Sequence, residues 1–195
     1  GLGDFGKPEG YVERQVLGWN RRFERALTPD VDSFSGVRAW LEANMPADNI
    51  RHSILHGDYR IDNAIIDQND PCNILAVLDW EICAIGDPLM DLGNSLAYWI
   101  EDGDPFEMSQ LVVQPSHAPG MLTRQEILDL YQERTGVDTS NFTFYLVYGY
   151  FRLAVILQQI YFRYFHGQTQ DERFKLFGVA TQQLGEHCER VISAE

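Results

Sequence analysis

An α+β fold, mainly helical with one short β-hairpin packed among the helices, is predicted by three observations. Apolar residues recur at helical spacing along much of the chain, as in Val12, Val16, Trp19 and Phe23. Two short aliphatic runs, Ala64-Ile65-Ile66 and Ile74 to Leu78, flank the turn sequence Asp67-Gln68-Asn69-Asp70-Pro71. At 195 residues and 45% hydrophobic, the chain can bury one substantial core. Residues 1–195 are therefore read as a single domain, with 1–10 as a hinge or connector.

The elements follow in order. Lys7-Pro8-Glu9-Gly10 fits a hinge, and an amphipathic helix is expected from Glu9 to about Leu27. Val37, Trp40 and Leu41 mark a shorter helix that stops before Pro46. Ser53-Ile54-Leu55 is a short apolar lead into a polar loop, after which the hairpin begins. Asp87-Pro88 is a helix start, with Asp87 as N-cap and Pro88 at the first helical position. That helix is expected to reach about Ile100 and to bury Leu89, Leu92, Leu96 and Trp99. Gln114 to Gly120 reads as a loop with His117 exposed, and Thr123-x-x-Glu126 as a capping box with Leu122 and Ile127 as its staple. A long helix from about Phe142 to Phe165 and a last one from about Asp171 to Ser193 complete the fold. The aromatics of the long helix are read as core, with a few on one face available to line a pocket.

Composition narrows the function. The charge is −14, from 29 acidic against 15 basic residues, which repels phosphate backbones and argues against nucleic acid as a partner. Glu101-Asp102-Gly103-Asp104 is read as a solvated loop. No uninterrupted apolar run of about 18 residues suggests a membrane span. No signal-peptide pattern opens the chain, so a cytoplasmic protein is expected. Cysteines 72, 83 and 188 lack any C-x-x-C pair and read as reduced thiols.

Chemistry concentrates in His56-Gly57-Asp58-Tyr59-Arg60-Ile61-Asp62-Asn63 and in Asp79-Trp80-Glu81 beyond the hairpin. The Asp58 carboxylate can accept a proton from a hydroxyl. The Asn63 amide oxygen and the Asp79 carboxylate are hard donors suited to Mg²⁺ held against a triphosphate. A hairpin between them returns Asp79 towards Asn63. The H-x-D-x-x-x-x-N spacing is that of a protein-kinase catalytic loop. Asp87 and Asp91 lie one helical turn apart on one face. They are expected to support the loop, with Asp91 or Asp87 accepting its backbone N–H groups.

With Gly86-Asp87-Pro88-Leu89-Met90-Asp91-Leu92 added, these motifs resemble the aminoglycoside phosphotransferase-like family of small-molecule kinases. Within it they are most similar to the branch associated with acyl-CoA dehydrogenases. The resemblance spans essentially the whole chain and implies the protein-kinase-like carboxy-terminal lobe of a two-lobed fold. It implies transfer of phosphate from ATP, with Mg²⁺, to a hydroxyl of a small molecule. Asp58 would be the base, Asn63 and Asp79 the magnesium ligands, and Arg60 would occupy the place of a phosphate-facing lysine. His56 would pack behind the base.

The family's nucleotide-covering glycine loop, its phosphate-binding lysine and the paired glutamate are not found. Gly1-Leu2-Gly3-Asp4-Phe5-Gly6 spells G-x-G-x-x-G, but no strand precedes it and no lysine-bearing strand follows. The expectation is a catalytic lobe without its amino-terminal lobe, inactive alone. Two alternatives are a non-catalytic kinase-like binding module and a metal-dependent hydrolase using His56, Asp58, Asp79 and Asp87. The joint presence of Asp58, Asn63 and Asp79 weighs against the first. The lack of a second histidine weighs against the other.

Overall fold

The long helix forms the spine of the computed structural model, which describes residues 6–47, 52–102, 104 and 114–195. Gly1 to Phe5 of the opening glycine-containing run and Gly103 of the acidic cluster lie outside these residues. Six α-helices are described: α1 Tyr11–Ala26, α2 Ser35–Ala43, α3 Pro88–Ala97, α4 Arg124–Thr135, α5 Thr143–Phe165 and α6 Phe177–Ser193. Tyr145, Val147, Tyr148, Tyr150 and Phe151, on several faces of α5, are all buried, so neighbours surround it. It packs against α1, α3 and α6.

Each helix has a legible cause. Val12, Val16 and Phe23 bury one stripe of α1, and Val37 and Leu41 do the same for α2. The α3 start uses the Asp87 side chain, which accepts from the Leu89 N–H at 2.9 Å, with Pro88 following. The capping box at Thr123 is complete, and Gly136 ends α4 in the left-handed region. The α3–α5 crossing is close because both helices carry glycine there. A Cβ on Gly93 would lie 2.3 Å from the Tyr145 carbonyl oxygen, and one on Gly149 would lie 2.3 Å from that of Gly93.

Four strands form two antiparallel pairs. The expected hairpin is β2 Ala64–Ile66 with β3 Ile74–Val77, in the register Ala64↔Val77 and Ile65↔Ala76, with an irregularity before Ile66. The apolar lead at Ser53–Leu55 is itself a strand, β1, paired with β4 Ala84–Gly86 through Ile54↔Ile85. The two pairs nest, with β1 and β4 enclosing the hairpin along the chain. Both the loop after β1 and the segment before β4 are therefore held at their ends.

Several expectations are corrected. The hairpin is not packed among the helices: Ile65, Ile66, Ile74 and Leu75 are all exposed. The last helix does not begin at Asp171, because residues Glu172–Leu176 take a tight 3-10 turn before α6. Two more such turns, Ile61–Asn63 and Trp80–Ile82, interrupt segments read as plain loop. Leu92 and Trp99 are only partly buried, since they face a cleft. Among the described residues no helix is long and apolar enough to cross a membrane. The three cysteines are free thiols, and burial pushes that of Cys188 well up.

Candidate active site

The loop leaving β1 is tied down from three sides. Asp91, on the first turn of α3, accepts from the His56 N–H at 2.7 Å and the Gly57 N–H at 2.8 Å. A carboxylate taking two backbone donors makes a strong, charge-assisted clamp. His56 is buried and uses both ring nitrogens. Nδ1 accepts from the Asp58 N–H at 3.2 Å, and Nε2 lies 2.7 Å from the Leu78 carbonyl oxygen. These partners assign the Nε2–H tautomer, because Nδ1 must offer a lone pair and the carbonyl requires a donor. The Trp80 ring packs on the imidazole with centroids 4.7 Å apart. Gly57 has a φ of 85° and sits against Ile82, whose Cγ1 would be 3.0 Å from an added Cβ. A side chain there meets both strain and crowding.

Asp58 and Asn63 are directly joined. Asn63 Nδ2 donates to the Asp58 carbonyl at 2.8 Å and to Asp58 Oδ2 at 3.3 Å. Spending Nδ2 on Asp58 fixes the amide, and no protein donor among the described residues engages its Oδ1. The Asp58 carboxylate is 24% exposed and pairs with Arg60 Nε at 3.2 Å. Arg60 also reaches Asp62 at 3.1 Å and lies 4.9 Å over the Tyr98 ring. Burial raises the Tyr98 hydroxyl above its ordinary value; Arg152 opposes this, and Asp58 adds to it.

Asp79 follows a residue pinned to this loop twice. The Leu78 N–H donates to the Asn63 carbonyl at 2.8 Å, and its own carbonyl meets His56. Asp79 itself is exposed and takes a left-handed backbone, with φ 68°. That conformation is uncommon outside glycine and clusters at functional sites. An exposed carboxylate beside a loop whose asparagine offers an amide oxygen is a donor set that fits Mg²⁺. This ion is commonly held by one or two carboxylates together with phosphate oxygens.

Asp87 is placed apart from this centre. It is 4% exposed, caps α3, and accepts from the Tyr145 hydroxyl at 2.9 Å. Burial first, and the Asp87 charge second, push that hydroxyl far up. The four-residue hydrolase set is thereby dispersed. Among the described residues no group of three or more His, Cys, Asp or Glu side chains can hold a metal.

Beside Arg60 opens a cleft of about 660 Å³ that sequence reading did not find. Ile66 and Ile74 of the hairpin, Leu92, Leu96 and Trp99 around α3, and Met121 and Ile127 give it apolar walls. None of the α5 aromatics lines this cleft, although Tyr145 lines a separate one with Leu89 and Val137. Sequence reading also missed Tyr98 and Gln114, whose side chains meet the loop from 38 and 53 residues away. Neither stands in a motif. His117 is exposed.

Helical bulk, nested strand pairs and a clamped H-x-D-x-x-x-x-N loop together define a kinase-like phosphotransferase class. The profile of the phosphotransferase enzyme family (APH) matches residues 1–126, and the chain belongs to that family. It is 33% identical over 189 residues to acyl-CoA dehydrogenase family member 11 of Pongo abelii, and 31% identical over 196 residues to that of Gallus gallus. Each match covers 95% of this chain and 24% of the relative, so the chain spans about a quarter of these proteins. A crystal structure of a Ralstonia eutropha protein, described as a candidate aminoglycoside phosphotransferase, superposes with a TM-score of 0.81 at 30% identity. That match covers 100% of this chain and 59% of the neighbour.

Proposed function

We propose that this chain carries the catalytic loop of an ATP-dependent kinase that phosphorylates a hydroxyl on a small molecule with an apolar body. The observation that supports it most is the junction of Asp58, Asn63 and Asp79 through Leu78 and His56. In this reading Asp58 orients the acceptor hydroxyl and takes its proton. Asn63 and Asp79 would hold Mg²⁺, which neutralises charge on the triphosphate when bound. Arg60, already beside Asp58, would turn one of its donors to phosphate.

The apolar walls beside Arg60 support an acceptor unlike a polycationic aminoglycoside, which would leave its ammonium groups unpaired there. Relatives named for acyl-CoA dehydrogenation carry the matching region, which supports an acceptor of acyl character. We further propose that the phosphate-covering glycine loop and lysine belong to a lobe outside these 195 residues. The exposed apolar side chains of Leu75, Leu78 and Trp80 support such a cover. The test is ATP consumption by the full-length protein with Mg²⁺ across hydroxylated acyl compounds and aminoglycosides. Turnover on hydroxylated acyl compounds is expected. Turnover on aminoglycosides alone would reject the apolar acceptor, and no turnover on any hydroxyl compound would favour a binding module.

A further inference from the structure

We infer that Gln114 is a positioning residue that couples the wall of the acceptor cleft to the catalytic loop. Gln114 is only 6% exposed, yet both ends of its amide are used. Oε1 accepts from the Ile61 N–H at 3.2 Å, and Nε2 donates to the Tyr98 carbonyl at 3.2 Å. These partners fix the orientation of the amide, since an N–H needs an acceptor and a carbonyl needs a donor.

The Ile61 bond matters because of what the turn carries. Ile61–Asn63 is a 3-10 turn whose preceding residue, Arg60, gives no side-chain cap. Gln114 supplies that acceptor from 53 residues away. The turn presents Asn63, whose own N–H closes onto the Arg60 carbonyl at 3.0 Å. At its other end Gln114 holds Tyr98, the ring beneath the Arg60 guanidinium. One amide therefore sets the turn that places Asn63 and the platform that places Arg60. The same side chain lines the apolar cleft with Arg60 and Ile61, so a molecule filling the cleft rests against it.

The inference rests on the phosphotransfer reading, and two measurements on the full-length protein keep the two separable. The first is amide hydrogen exchange at residues 61–63, which needs no turnover. Gln114→Met removes both hydrogen bonds at similar volume and should speed exchange there. Gln114→Glu keeps the Ile61 partner, loses the Tyr98 one, and should speed it less. Ser116→Ala is the control: Ser116 is buried in the same loop, but its hydroxyl bonds the Ile100 backbone at both N–H and carbonyl. It should leave 61–63 unchanged.

The second measurement is acceptor phosphorylation. Gln114→Met is expected to lower kcat by about 10- to 100-fold, the range typical for a group that orients a ligand residue. It should also raise the Mg²⁺ concentration for half-maximal rate, while Ser116→Ala moves neither. Unchanged exchange in Gln114→Met would overturn the inference whatever the kinetics. Faster exchange with kcat and Mg²⁺ dependence like those of the unaltered protein would overturn it as well. If the unaltered protein phosphorylates no acceptor, the kinase reading fails. Gln114 then positions no catalytic group, even if exchange quickens.

Discussion

The roles proposed for Asp58 and Asp79 are separable, and single substitutions distinguish them. Asp58→Asn keeps the loop's shape and removes the proposed proton acceptor, so kcat should fall by about 10²–10⁴ while Mg-ATP binding barely changes. Asp79→Ala deletes a hard oxygen from an exposed site and should weaken Mg-ATP binding as well as turnover. Titration calorimetry with Mg-ATP beside steady-state rates reads both. Gly57 is the third informative position. Its left-handed backbone and the nearby Ile82 side chain make Gly57→Ala unfavourable by about 1–2 kcal/mol for the backbone alone. A lowered thermal midpoint would register that cost. The spacing of Asp58 and Asn63 and the hairpin after them were legible in sequence, and the structure joins Asp58 to Asn63 and pins Leu78, next to Asp79, to the same loop. The partners that orient them were less so. A glutamine outside any motif, or a tyrosine at a helix end, carries no periodicity that announces a contact.

Helix α3 links core to site. Its start holds Asp87, its first turn holds Asp91, and its middle holds Gly93 against α5. Asp-Pro announced the helix, and the capping rules placed Asp87 correctly at its start. The rules did not reveal that Asp87 also receives the Tyr145 hydroxyl, because that partner lies 58 residues on. Asp87→Ala therefore removes a cap worth about 0.5–2 kcal/mol. It also leaves a buried hydroxyl unpaired, at about 1–3 kcal/mol more. Chemical denaturation should show a loss nearer the sum than the cap alone. Gly149→Ala tests the crossing itself. The added methyl would meet the Gly93 carbonyl, an overpacking that typically costs about 1–3 kcal/mol. Because Asp91 rides on the displaced helix, amide exchange at His56 and Gly57 should quicken in the same variant. Strands were harder to read than helices: β1 and β4 have three residues each, too few for alternation to separate them from loop.

At the scale of the whole molecule, the chain is 59% of its structural neighbour and about a quarter of its curated relatives. Its hairpin displays aliphatic side chains to solvent, and its cleft is walled by similar groups. That surface accords with the partner lobe proposed above. These 195 residues alone should therefore bind Mg-ATP feebly by calorimetry, and micromolar affinity would refute the missing-lobe proposal. Overall helical organisation was readable from composition and periodicity, whereas the apolar cleft arises from four separate segments that only the folded chain assembles. The most direct test of the central claim is single-turnover phosphoryl transfer. It uses the full-length protein with Mg²⁺, labelled ATP and a hydroxylated acyl acceptor, comparing the unaltered chain with Asp58→Asn. The account requires label on the acceptor hydroxyl, with the transfer rate falling by about 10²–10⁴ in the variant. Transfer at an undiminished rate in Asp58→Asn would contradict it.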